Sequence, residues 1–243
     1  MKSVLLSLLV TLFLSTSSWA AFVNGGFETG DFTGWTLTGS GAYLSSVINN
    51  ATPMLFGQTT NIAPYYGSNM ARLQDLDGYY HQTTISQSSV LSATDLTETL
   101  YVRWGALLIE PEDGTHPTGA QPAFDIVIQK NGSPIDSFHA DALNKQGGGW
   151  ANYGDLWGTA WYKTDLYTYS LSNFSIGDTI TVMMSVIDCG WGGHGGAAFL
   201  DGIGTTPLPN PVAATPEPGT MILMAIGVAG AAYLKRRRDS AKA

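Results

Sequence analysis

The sequence predicts an all-β fold, an antiparallel β-sandwich, set between two apolar terminal segments. Three observations carry the prediction. Short β-branched or aromatic runs recur along the chain, bounded by Gly, Pro, Asn and Asp. No long helical period appears before the C-terminal apolar stretch. Gln129-Lys130-Asn131-Gly132-Ser133 reads as a hairpin, because Asn-Gly supplies the positive φ of a type I′ turn.

The strands are expected, in order, at Trp35 to Thr38, Ala42 to Val47, Asn69 to Leu73, Tyr80 to Gln87, Glu98 to Leu108, Ala123 to Lys130, Ser133 to Ala140, Lys163 to Ser170, Thr179 to Ile187 and Ala197 to Ile203. Phe124, Ile126 and Ile128 alternate with Asp125, Val127 and Gln129, which marks one buried and one mainly outer face. Met183, Ser185 and Ile187 alternate with Val182, Met184 and Val186, so that strand reads as buried on both faces. Leu171 to Asp178 reads as a short turn feeding the next strand. About ten short antiparallel strands suit a sandwich. The folded part is expected to span residues 21–204, followed by the Pro-rich linker TTPLPNPVAAT at 205–215.

Between Ala21 and Pro218 the chain holds five Lys or Arg against 18 Asp or Glu, a net charge of −13. So acidic a surface repels phosphate backbones and argues against a nucleic-acid partner. Cys189 is the only cysteine, so no intramolecular disulfide staples the domain. Bound metal is another way to hold loops.

Both ends of the chain concern targeting. Lys2, the apolar run Val4 to Leu14, and Ser18 and Ala20 at a small-x-small cleavage site have the build of a secretory signal peptide over residues 1–20. At the other end, Pro216, Glu217 and Pro218 precede an uncharged stretch to Leu234 and the block Lys235-Arg236-Arg237-Arg238. The 17 residues from Pro218 to Leu234 give about 25 Å of helix, a short transmembrane span. The basic block would keep the tail in the cytoplasm. The prolines keep the chain outside the span extended, open to a membrane-embedded processing enzyme.

This tail, residues 216–240, resembles the PEP-CTERM sorting signal, a type of tail also called an ice-binding protein C-terminal domain; that name says nothing of ice. The resemblance implies recognition and cleavage by an exosortase, transient membrane anchoring, and release to the cell surface or extracellular matrix of a Gram-negative, exopolysaccharide-making bacterium. The opening FVNGGFETGDFTGWT resembles that of galactose-binding-like jelly rolls and related carbohydrate-binding modules, through Asn24, Gly25, Gly26, Phe27, Glu28, Gly30, Gly34 and Trp35. The closing strand AAFLDGIG, with Asp201, matches the same folds. That resemblance implies a jelly roll whose first and last strands lie together, with a structural Ca²⁺ bridging Glu28 and Asp201. The same pair also suits a simple loop cap. A further pattern, Glu110-Pro111, His116-Pro117, Gln121-Pro122-x-Phe124, then Asp188-Cys189, Gly192-Gly193-His194 and Asp201, is similar to bacterial extracellular sandwich domains. The chain departs from it at Gly196-Ala197-Ala198, where aromatic residues are expected.

Two sets of side chains carry candidate chemistry. His116, Asp188, Cys189 and His194 are a sound transition-metal set if they converge, and otherwise the imidazoles pin loops. Cys189 with His194 also fits a nucleophile and base, oriented by Asp188, but a cysteine before a last strand suits a small buried apolar residue equally. Glu110, Glu112 and Asp113 read as a solvated acidic turn rather than a glycosidase pair. Trp150, Tyr153, Trp157 and Trp161, in a Gly-rich stretch with Asn152 and Asp155, suit either a glycan platform or a plug for one end of the sandwich. No Gly-x-Ser-x-Gly elbow, His-Glu-x-x-His or phosphate loop is present. The expectation is a non-enzymatic, exported, glycan-binding surface protein linked to exopolysaccharide or biofilm. The alternatives are an extracellular hydrolase and a purely structural matrix protein.

Overall fold

The computed structural model describes residues 22–49, 62–74, 76, 79–111, 116, 119–156 and 158–205. The signal peptide, linker residues 206–215, the sorting tail with its expected transmembrane helix, and Glu112, Asp113, Pro117 and Trp157 lie outside them.

Eleven strands and no α-helix are found among the described residues: β1 (Thr36–Thr38), β2 (Ser46–Asn49), β3 (Asn69–Leu73), β4 (Gln82–Val90), β5 (Thr99–Glu110), β6 (Ala123–Lys130), β7 (Ser133–Asp141), β8 (Ala151–Asp155), β9 (Thr159–Ser170), β10 (Thr179–Ile187) and β11 (Gly196–Gly204). They form an antiparallel β-sandwich. One sheet has the order β1-β4-β10-β6-β7 and the other β2-β3-β11-β5-β9-β8. From β3 onward the chain passes repeatedly from one sheet to the other, as a jelly roll requires. The β6–β7 hairpin turns on Asn131 and Gly132 at φ +50° and +81°, the type I′ geometry.

The core lies between the sheets. Phe124, Ile126 and Ile128 of β6 meet Val182, Met184 and Val186 of β10, with Trp104, Leu108 and Leu200 of the facing sheet. Trp104 stacks on Phe124 at 4.7 Å. The opposite face of β10 is half-covered rather than buried: Met183, Ser185 and Ile187 are half-exposed in a central strand paired on both sides.

The six-stranded sheet is buried on its outer face as well. Met70, Leu107, Ile109, Ala197 and Phe199 form a second apolar cluster there with Ile62, Leu76 and Leu156. Tyr65 lies across this face, and its hydroxyl bonds that of Tyr162. Gly105 permits the crossing, since a Cβ at that position would collide with the Tyr65 hydroxyl. Burial pushes both phenols up, Tyr162 to about 12, so the pair stays neutral at ordinary pH.

Two elements differ from the sequence reading. Ala42–Leu44 is a 3₁₀ turn, and the strand starts only at Ser46. β8 falls inside the stretch read as a loop. Four of its five residues are exposed and it pairs only with β9, so it shows no alternation of apolar and polar residues.

Candidate functional site

Strand register gathers the candidate residues at one end of the sandwich. Ile187 pairs with Gln82 and Ala123, Gly196 with Leu108, Glu110 with Thr159, and Asp141 with Ala123. The connections leaving β3, β5, β7 and β10 therefore start from the same end. They carry Tyr79 and Tyr80, His116, Trp150, and Cys189 to His194.

Asp188 is the brace of this end. It is buried, and its Oδ1 accepts from Gln74 Nε2 and from the Gly196 amide, each at 2.7 Å. Oδ2 accepts from the His81 amide at 2.8 Å. These bonds join the end of β3, the start of β4 and the start of β11, and they engage both carboxylate oxygens.

The three residues the sequence grouped with Asp188 do meet. A ring nitrogen of His116, one of His194 and the Cys189 sulfur all lie within 4.8 Å of one another. The two rings are edge to face at 5.0 Å, and Trp191 lies edge to face with His116 at 5.3 Å. Cys189 is fully buried and both imidazoles are half-buried. The loop is cross-tied: Cys189 N–H donates to the His194 carbonyl at 2.9 Å, and Gly190 N–H to the Ala120 carbonyl at 3.0 Å.

The aromatic residues expected as one platform divide among different surroundings. Trp150 packs against the main core and donates its indole N–H to the Gln146 carbonyl at 3.0 Å. Tyr153 packs on the outer cluster beside Tyr162. Trp161 donates to Glu110 Oε2 at 2.6 Å, and the Lys145 ammonium sits 4.6 Å above its ring while pairing with Glu110 at 3.0 Å. All three rings are half-buried. The aromatics most open to water at this end are others: Tyr79 at 74 %, Tyr43 at 73 % and Trp191 at 65 % exposure, followed by Tyr80. Sequence reasoning passed over them. For Trp191 the signal was present, since Gly190, Gly192 and Gly193 beside it supply no bulk for a ring to pack on.

The Glu28 and Asp201 pair lies farther along the sandwich. Gly25 accepts from the Ile203 amide at 3.1 Å, which ties the opening segment to β11. Asp201 sits at a bulge of β11 and is fully buried. Its Oδ2 accepts from the Tyr66 amide at 2.6 Å, while Oδ1 has no hydrogen-bond partner among the described residues. Burial, with the charge of Glu28 added to it, pushes the Asp201 carboxyl up to about 8. Glu28 accepts from the Ser68 and Asn69 amides at 3.0 and 3.1 Å and borders an open cavity of about 470 Å³ with Asn24, Gly26 and Tyr66. Two carboxylates, one with a buried oxygen lacking a donor, fit a hard cation such as Ca²⁺.

Fold and termini together define an exported β-sandwich protein with a C-terminal sorting signal. The signal is explicit: residues 214–238 match the PEP-CTERM protein-sorting motif. That motif implies export, transient membrane anchoring through the C-terminal region, and processing by an exosortase. No curated protein matches the chain. Among solved structures it is similar to one described as carbohydrate-binding modules of the β-sandwich superfamily, at 11 % identity and TM-score 0.40, covering 75 % of this chain and 60 % of that one. A Caldicellulosiruptor saccharolyticus carbohydrate-binding module in complex with mannohexaose matches at 14 % identity and TM-score 0.41, over 78 % of this chain and 97 % of that one. A cyclase from Fischerella sp. matches at 13 % identity and TM-score 0.34, over 76 % and 94 %. Likeness of this degree carries no activity to the present chain. No helix among the described residues is long and apolar enough to cross a membrane.

Proposed function

We propose that the processed domain binds extracellular glycan at the loop end of the sandwich, without catalysis, as a cell-surface or matrix protein linked to exopolysaccharide. The observation that carries this reading is the exposed aromatic set, Trp191, Tyr79, Tyr80 and Tyr43, at one end of a domain that bears an export signal. An exposed ring offers an apolar face to the C–H face of a sugar, and a tyrosine tip adds a polar handle. Half-buried Trp161, with Glu110 and Lys145 beside it, supplies a fixed ring with charged partners. In this reading Cys189, which is fully buried, and Glu110, which is held by Trp161 and Lys145, are not used as nucleophile or acid.

Glu28 and Asp201 would hold one structural Ca²⁺, which supplies charge neutralisation and ties the opening segment to β11. A purely structural matrix role is the second reading. It is favoured by Trp150 and Tyr153, whose rings are engaged in packing.

Affinity electrophoresis of the processed protein through gels cast with the host's own exopolysaccharide tests the proposal. Retardation that is lost in Trp191→Ala or Trp161→Ala supports it and places the site. Free migration of the unaltered protein removes it and leaves the structural role.

A further inference from the structure

We propose that His116, Cys189 and His194 form a three-ligand site for a borderline-soft divalent transition-metal ion, with Zn²⁺ as its occupant. The proposal is independent of glycan binding.

The donor set is the first argument. Two imidazole nitrogens and one thiolate are the ligand types Zn²⁺ takes, at about 2.0–2.1 Å for nitrogen and about 2.3 Å for sulfur. Around a tetrahedral ion those lengths put the ligand atoms about 3.3–3.6 Å apart. The three atoms already lie within 4.8 Å of one another, so small side-chain rotations close the site. They come from two separate connections, one carrying His116 and one carrying Cys189 and His194.

Preorganisation is the second argument. The Gly190 amide bonds the Ala120 carbonyl at 3.0 Å, and Gln121 Nε2 reaches the His116 carbonyl at 3.3 Å, so the two connections are held together. Within the second connection, Cys189 N–H bonds the His194 carbonyl and Gly192 N–H the Cys189 carbonyl, both at 2.9 Å. Gly192 and Gly193, at φ +82° and +86°, allow that reversal. The Trp191 amide points at the Cys189 sulfur at 3.4 Å, an N–H placed to stabilise a thiolate. Asp188, immediately before Cys189, is locked by its own three bonds and anchors the loop.

The charge balance is simple. Binding displaces the thiol proton of Cys189 to solvent, both imidazoles bind neutral, and no electron is transferred. Three protein ligands leave the fourth position of a tetrahedral ion to water. Zn²⁺ is the proposed occupant because it is redox-inert and leaves the lone thiolate reduced, although such donors bind Cu²⁺ more tightly.

Cobalt(II) is the spectroscopic probe. The processed protein, stripped with chelator and titrated with Co²⁺, should develop the visible bands of a tetrahedral ion and a near-ultraviolet thiolate charge-transfer band, saturating at one ion per chain. Zn²⁺ should bleach both bands stoichiometrically. His116→Gln and His194→Gln change half-buried rings and should fold, as checked by circular dichroism. Each should weaken Co²⁺ binding by more than about 100-fold, beyond the loss typical of outer-shell changes. Cys189→Ser should remove the charge-transfer band. Absence of the thiolate band in the unaltered protein overturns the proposal. So does a band that persists with unchanged affinity in both folded histidine variants, or displacement by Cu²⁺ but not by Zn²⁺.

Discussion

Replacing Asp188 by Ala removes the acceptor for three buried donors at once: Gln74 Nε2 and the Gly196 amide at 2.7 Å, and the His81 amide at 2.8 Å. A buried donor left without its partner costs about 1–3 kcal/mol, and bonds to a charged acceptor lie toward the upper end. Some relaxation and water entry will recover part of the sum. The expected loss is therefore about 3–6 kcal/mol, against a total of about 5–15 kcal/mol for a domain. Asp188→Asn keeps the volume but turns an amide NH₂ toward one of the donors, so its loss should be smaller, about 2–3 kcal/mol. Gln74→Leu removes one donor and also the bond from Nε2 to the Gly196 carbonyl at 2.9 Å. Gln74→Leu and Asp188→Asn should therefore couple by about 1 kcal/mol in a double-mutant cycle. Denaturant unfolding followed by tryptophan fluorescence, with the metal chelated, reads these values. A loss below about 1 kcal/mol for Asp188→Ala would refute the brace. If Asp188→Asn instead leaves metal-free stability intact and abolishes Co²⁺ binding, the carboxylate is a ligand and the separation drawn here between Asp188 and its neighbours is wrong.

Three further outcomes are expected. Millimolar Ca²⁺ should raise the melting temperature, by the equivalent of about 2.7 kcal/mol at a hundredfold excess over Kd, and Asp201→Asn should abolish that response to Ca²⁺. Gly105→Ala should destabilise by about 1–3 kcal/mol, because the added methyl displaces Tyr65 from its seat on the sheet; a melting temperature unchanged from the parent would contradict that packing. Trp191→Ala should leave stability within about 0.5 kcal/mol of the parent in unfolding experiments, since the ring is largely in water, while removing any retardation by polysaccharide.

What the sequence made legible follows from how local each signal is. β3, β6 and β10 agree residue for residue with the runs read from pattern, because their alternation and bounding turns lie within the strands themselves. β8 escaped because an edge strand with four exposed residues needs no apolar face, and its Gly154 reads as loop. The outer cluster escaped for a related reason. Met70, Leu107 and Phe199 look like core residues, but the covering of their outer face involves Tyr65 crossing Gly105, a contact between distant segments. The loop end shows the same limit in the chemistry. Cys189 and His194 are joined by a short Gly-rich loop, so their meeting could be guessed. His116 reaches them only because β5 and β10 direct their following connections to the same end, a consequence of the pairings Gly196 with Leu108 and Ile187 with Ala123. Asp188 follows directly on β10, within reach of the amides of His81 and Gly196, and its oxygens accept from both. The side chain adjacent to Cys189 in sequence therefore serves the fold, and the one 73 positions away shares its site.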